Sequence, residues 1–375
     1  MMAEQKDREA EESREERAEE AGKAEEADAA SQRQALDNAS DERMVNQDAE
    51  GAGFSLLVPM TIADVCLKAT VLLNERGIME PRNNAELLLL HVLGLSRTEL
   101  LRDWRELFPP QHYKRWRELL ARKAAGEPVQ YLIGEQWFYG LPFAVTPAVL
   151  IPRPETELLV EAVLEAADKL WPQARGEAGA GDGVEVPTVV DVGTGSGAIG
   201  VTLAALRPQW RVCASDLSPD ALAVARTNAE RHALAARMTF VQGDLLGPFA
   251  AQQPPRPGAE GHAEAQAGGV AGLRIDVLVS NPPYIPAGDI AGLQPEVRDH
   301  EPRLALDGGD DGLTPYRRMA EQLAELSAMP RIVGFELGMG QAEAVAELLR
   351  GIGAWRDVRI IDDYAGIGRH VLAVE

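Results

Sequence analysis

The chain has 375 residues, 45% of them hydrophobic, and a formal net charge of −22. That length accommodates two domains with a sizeable core, and no continuous apolar run is long enough for a membrane-spanning helix. The acidic surplus disfavours a long phosphate backbone as ligand, since that affinity depends on Lys and Arg. Positions 1–50 hold 17 acidic and 7 basic residues, so this tail alone carries −10 and the rest of the chain remains acidic.

The N-terminus, MMAEQKDREAEESREERAEE, lacks the apolar segment of a signal peptide, so the cytoplasm is the expected compartment. Residues 1–54 are rich in Glu, Ala, Gln and Asp, with no apolar stripe to bury, and read as a disordered acidic tail. From about residue 60 the periodicity becomes helical. TIADVCLKATVLLNERG places apolar residues at Ile62, Val65, Leu67, Val71 and Leu72 and ends near Gly77. NNAELLLLHVLG follows with an asparagine cap and a terminal glycine, and Ser96 with Glu99 forms a capping box. A fourth helix runs from Pro109-Pro110 to Gly126. Residues 55–128 therefore read as a small helical domain, with Trp104, Tyr113 and Trp116 in its core or on a docking face.

Residues 129–150 turn to β-formers around Gly134 and Gly140 and read as a hairpin linker; PRPETELLVEAVLEAADKLW then starts a helix with Glu155 and Glu157 in its first turn. Within 151–375, strands at 187–192, 210–215, 238–242, 275–280, 331–336, 356–361 and 368–373 alternate with helices at 196–207, 218–233, 315–328 and 339–350. This predicts a mostly parallel, seven-stranded Rossmann-like α/β sheet covered on both faces. Two Gly/Ala/Pro-rich stretches, in 172–187 and 250–272, interrupt it as surface insertions.

VVDVGTGSGAIG is strand, glycine-rich turn, helix. Gly193, Gly195 and Gly197 permit a tight turn and close approach of a ligand to the backbone. Asp216 ends the next strand, where a carboxylate can accept ribose hydroxyls, and Asp244 ends the third, where an adenine amino group can be read. The D-x-G-x-G-x-G spacing resembles class I S-adenosylmethionine-dependent methyltransferases more than nicotinamide dehydrogenases. That resemblance implies that the methionine end lies on the glycine turn, the ribose on Asp216 and the adenine beside Asp244–Leu245.

After the fourth strand comes Ser280-Asn281-Pro282-Pro283-Tyr284. Two prolines remove two backbone donors and restrict two φ angles. Beside a methyl donor, Asn281 Oδ1 and the rigid Pro282 carbonyl can accept the two N–H bonds of a planar NH₂ group, with Tyr284 packed on its flat face. No base is required, so His300 in RDHEPR reads as non-catalytic, with Glu301 and Arg303 pinning the loop. The motif leaves adenine N6, guanine N2 and glutamine Nε all open as acceptors. Two cysteines far apart, Cys66 and Cys213, fit no metal spacing, and DGGDDGL at 307–313 lacks the calcium-loop ligand pattern.

GEPVQYLIGEQWFYGLPFAV, IPRPETE, DVGTGSGAIG, SNPPYIP and EVRDHEPRLALDGGDDGLTPYR, in this order, closely resemble the bacterial HemK/PrmC family of peptide chain release factor glutamine methyltransferases, from about residue 60 onward. IPRPETE separates it from the sister enzymes for a ribosomal-protein glutamine. The resemblance implies a helical domain that docks a release factor and methylation of the glutamine in its Gly-Gly-Gln loop. It implies that Gly193, Thr194, Gly195, Ser196, Gly197, Asp216, Asp244, Leu245 and Asn281 hold S-adenosyl-L-methionine. Asn281, Pro282, Pro283 and Tyr284 hold the substrate amide, with Phe138 and Arg153 lining the cofactor or substrate channel. Some relatives place an aromatic where Leu245 stands. No metal, membrane or direct nucleic-acid partner is expected. A DNA or RNA base methyltransferase shares the Asn-Pro-Pro-Tyr device but would flip its base and carry a basic recognition domain. A non-catalytic S-adenosylmethionine-binding scaffold would need no intact Asn-Pro-Pro-Tyr.

Overall fold

The computed structural model describes residues 59–175, 185–251 and 269–375. The acidic tail and most of both Gly/Ala/Pro insertions lie outside the described residues. Contacts divide the chain into two compact units, with the boundary between Ala124 and Ala125.

The first unit contains α1 (Ile62–Glu75), α2 (Pro81–Leu93), α3 (Arg97–Arg102) and α4 (Tyr113–Ala124). Thr61 with Asp64 caps α1 and Ser96 with Glu99 caps α3, each a reciprocal box that satisfies orphan backbone donors. Helix α2 starts at Pro81, earlier than the asparagine signal predicts. Proline fits the first helical position because it lacks only a donor that would be orphaned there. Asn84 instead lies inside the helix, donating to the carbonyls of Met79 (2.8 Å) and Glu80 (3.1 Å). The buried face of α1 is Ile62, Val65, Cys66, Ala69 and Leu73, whereas Leu67 and Val71 are exposed. A 3.6-residue period puts positions 62, 66, 69 and 73 on one side and turns 67 and 71 away from it. Trp116 is fully buried, and Phe108 stacks on Tyr113 at 5.2 Å.

The second unit opens with α5 (Val129–Ile133), then the antiparallel pair β1 (Glu135–Phe138) and β2 (Leu141–Ala144). The β-forming composition of 129–133 yields a short helix because Pro128 precedes it and Gly134, left-handed at φ 79°, closes it. Next come α6 (Glu155–Leu170), β3 (Thr188–Val192), α7 (Ala198–Leu206), β4 (Arg211–Asp216), α8 (Pro219–Arg231), β5 (Met238–Gln242) and β6 (Val277–Ser280). The chain finishes through α9 (Pro295–His300), α10 (Thr314–Gln322), β7 (Ile332–Glu336), α11 (Ala342–Ile352), β8 (Asp357–Asp362) and β9 (Gly368–Val374).

The seven-stranded sheet runs β5-β4-β3-β6-β7-β9-β8, parallel from β5 to β7 and antiparallel at β9 and β8. Strands β3, β6 and β7 are buried along their whole length, as mainly apolar strands covered on both faces are, and they carry the buried polar residues Thr188, Asp191, Ser280 and Glu336. One layer packs Leu159, Val163, Ile199 and Leu203 on the sheet, and the other packs Tyr316, Met319, Val345 and Leu349. The β1–β2 hairpin is fastened to α8: the Asn228 side chain accepts from Ala144 N (2.7 Å) and donates to Ala144 O (3.0 Å). Cys66 and Cys213 are buried free thiols, pushed by desolvation to about 11 and about 12.

Candidate active site

The chain leaves β3 for β4 and β5 on one side and returns to β6 and β7 on the other. Open α/β sheets bind ligands where the order reverses in this way, at the carboxyl ends of the strands. A cavity of about 640 Å³ lies there, lined by residues following β3, β4, β5 and β6.

The glycine turn forms one wall. Gly193 and Gly195 are left-handed (φ 68° and 55°), and a Cβ at either would meet nothing within 4 Å, so both present bare backbone to open space. The turn is braced from below by Asp191, whose Oδ2 accepts from Thr194 Oγ1 (2.6 Å) and Gly200 N (2.9 Å). Asp191 is fully buried with its Oδ1 unpartnered, and burial raises its carboxyl to about 6. Because the folded value lies above the ordinary value near 4, this group's contribution to stability is complete below about pH 4 and is lost as pH rises through about 6. Asp191→Asn is therefore expected to flatten that part of the profile. The gap in urea midpoint between variant and wild type should move in the variant's favour between pH 4 and 6; a gap independent of pH would remove Asp191 from the account.

Asp216 ends β4 at the cavity, its Oδ2 accepting from Gly195 N and its Oδ1 from Ser218 N, both at 2.9 Å. Burial raises its carboxyl, and these backbone donors act against that rise. The same carboxylate thus shapes the glycine turn and faces the space a ribose would fill. Ser218 then caps α8, with Pro219 at the first helical position. Asp244 also lines the cavity, but Arg318 engages its carboxylate (2.6 Å) in an exposed pair. Leu245 lines the cavity in a left-handed backbone conformation (φ 50°), which is uncommon for a side chain of this size. Leu217, passed over in the sequence reading, lines it too and is 47% exposed, so two leucines offer apolar walls to a flat ring.

The Asn-Pro-Pro-Tyr segment leaves β6 beside this wall. Ser280 Oγ donates to Val192 O (2.6 Å), tying the end of β6 to the end of β3. Asn281 and Pro283 line the cavity, whereas Pro282 is buried and is not among its lining residues. Tyr284 is not among them either. Its carbonyl accepts from Gln341 Nε2 (2.9 Å), the Arg369 guanidinium lies 5.7 Å from its ring, and burial raises its hydroxyl pKa. The 306–312 loop holds the segment from outside, with Ile285 N donating to Leu306 O (2.9 Å) and Gly308 N to Ile285 O (2.8 Å). A Cβ at Gly308 would come within 2.8 Å of Pro283 O, and one at Gly312 within 2.2 Å of Tyr284 O. DGGDDGL is an acidic turn, Asp307 and Asp311 bonding nearby backbone N–H groups, and its glycines also let it press against the motif.

Arg153 lines the cavity and pairs with Glu301, whose other oxygen accepts from Ile151 N (3.2 Å). Phe138 lies elsewhere, 1% exposed and edge-on to Phe143 in the core. His300 and Arg303 are not among the lining residues, and Arg303 pairs with Asp307. Among the described residues no cluster of three His, Cys, Asp or Glu could hold a metal ion.

Bare glycine backbone, a carboxylate at the end of β4 and two apolar side chains fit the amino-acid, ribose and adenine parts of S-adenosylmethionine respectively. With this sheet order they define a class I S-adenosylmethionine-dependent methyltransferase. Residues 64–134 match the family described as PrmC N-terminal domain, and residues 189–253 that described as Methyltransferase domain. The release factor glutamine methyltransferase of Moorella thermoacetica is 42% identical over 314 residues, covering 84% of this chain and 98% of its own. That of Bordetella pertussis is 42% identical over 289 residues, covering 77% and 93%. Among solved structures, the hMettl16 catalytic domain matches with a TM-score of 0.45 at 15% identity, covering 68% of this chain and 82% of its own. The chain belongs to the release factor glutamine methyltransferase family.

Proposed function

We propose that this protein transfers a methyl group to the side-chain amide nitrogen of the glutamine in the Gly-Gly-Gln loop of peptide chain release factors. S-adenosylmethionine, when bound, supplies a methyl group made electrophilic by its sulfonium. An amide nitrogen attacks poorly because its lone pair is delocalised, and its proton is too weakly acidic for a side-chain base to remove at neutral pH. The task left to the chain is to hold both N–H bonds so that the lone pair faces the methyl group. Asn281, which lines the cavity, takes one through Oδ1; the carbonyl of Pro282, which does not line it, is the motif's second acceptor, and the proton leaves after transfer, when the nitrogen is cationic.

The observation that carries this reading is the position of Asn281: it lines the same cavity as the glycine turn and Asp216. Among the described residues no donor occupies Asn281 Oδ1 or Pro282 O. Arg153, Pro283 and the exposed Leu304 also line that cavity. Leu67 and Val71, one turn apart and exposed on α1, with exposed Leu101, suit a docking face for the factor on the helical unit. The relatives' shared name, release factor glutamine methyltransferase, favours a glutamine over a nucleobase, as does the net charge of −22. Among the described residues no helix is long and apolar enough to cross a membrane, and we place the protein in the cytoplasm with the termination machinery. The test is incubation with labelled S-adenosylmethionine and either purified release factor or DNA. Label is expected on the factor's glutamine, and label on DNA alone would reverse the assignment.

A further inference from the structure

An asparagine amide has two unlike ends, and only one of them serves the chemistry above. With Oδ1 toward the substrate, Asn281 accepts an N–H bond. Turned over, it would set its own NH₂ against the substrate's NH₂, donor against donor. The substrate's own NH₂ therefore selects the first orientation, and what the fold must supply is a partner behind the far end of the amide that holds the side chain in place. Thr156 is so placed. It lines the cavity, is 4% exposed, and its Oγ1 accepts from Asn281 Nδ2 at 3.4 Å. A long contact is usual for a site without substrate and tightens in the complex.

Both partners are held by separate parts of the fold. Asn281 follows Ser280, which is bonded to Val192. Thr156 sits in the first turn of α6, its N–H donating to Arg153 O (3.2 Å). Arg153 is in turn paired with buried Glu301, at the end of α9, and Glu301 also takes the N–H of Ile151. The Ile151–Thr156 segment is thereby fixed against chain that follows the Asn-Pro-Pro-Tyr motif.

We propose that Thr156 is a positioning residue that anchors the far end of the Asn281 amide, holding the side chain in place for the substrate nitrogen. This rests on the function proposed above. Thr156→Val keeps the branched shape and removes the acceptor, so kcat is expected to fall about tenfold, with cofactor affinity unchanged, and Thr156→Ser to restore it. In an Asn281→Ala background, Thr156→Val should cost nothing further. An equal loss there, or no rescue by serine, would mean that Thr156 acts through general packing and would overturn the proposal. A readout independent of turnover is hydrogen exchange of the ¹⁵N-labelled Asn281 side-chain amide, expected to quicken in Thr156→Val and not in Thr156→Ser. Unchanged exchange would overturn the proposal even if activity fell. Failure of the wild-type protein to methylate release factor would instead sink the functional reading, and the exchange experiment would still decide the role of Thr156.

Discussion

Asn281→Ala is expected to lower methyl transfer by more than tenfold, at least about 1.4 kcal/mol of transition-state stabilisation, while cofactor binding survives. The reason lies in when the lost interaction matters. In the proposed mechanism Asn281 Oδ1 polarises and aims an N–H bond, a contribution that grows as positive charge develops on the nitrogen. The glycine turn and Asp216 stand on other strand ends and keep their geometry without it. Loss should therefore fall on kcat, with the dissociation constant of S-adenosylhomocysteine, read by calorimetry, close to wild type. Equal turnover in the variant would remove Asn281 from the mechanism.

Asp216→Ala should leave the opposite signature. Its carboxylate takes the N–H groups of Gly195 and Ser218, so truncation frees the glycine turn and deletes the acceptor proposed for the ribose. Loss of hydrogen bonds to a charged acceptor costs about 1.5–3 kcal/mol, which predicts cofactor affinity weaker by about tenfold or more. At saturating cofactor, kcat should recover much of its wild-type value, because the Asn281 acceptor is untouched. A variant that binds S-adenosylhomocysteine as tightly as wild type would show that Asp216 serves only to cap the turn. Together the two substitutions separate holding the donor from aiming the acceptor.

Much of this site is written in contiguous residues. Asp191 to Gly197 is legible because strand, glycine turn and helix follow one another in the chain, and Asn281 to Tyr284 because two prolines after a strand have few other uses. The alternation of apolar runs with helical periods gave all seven strands of the sheet to within a residue or two. Apolar composition was less informative about direction: Leu67 and Val71 counted toward a stripe in α1, yet they face outward while Cys66 and Ala69 face the core. Phe138, a strand-end aromatic near the family motifs, went to the core beside Phe143 rather than to the cavity.

What the sequence by itself determined, then, is the order of elements and the chemistry of the two motifs, since both depend on neighbours along the chain: φ preferences, lost donors, apolar period. Only the tertiary structure decided what stands behind those motifs. Thr156 and Asn281 are 125 positions apart, and Arg153 and Glu301 are 148. Gly312 lies against Tyr284 only because its loop pairs alongside the segment that follows β6. Hydrogen bonds and close packing act over a few ångströms of space whatever the separation in chain, so the residues that fix the Asn281 amide have no local pattern to betray them. They become visible when the sheet brings the ends of β3, β4 and β6 to one edge.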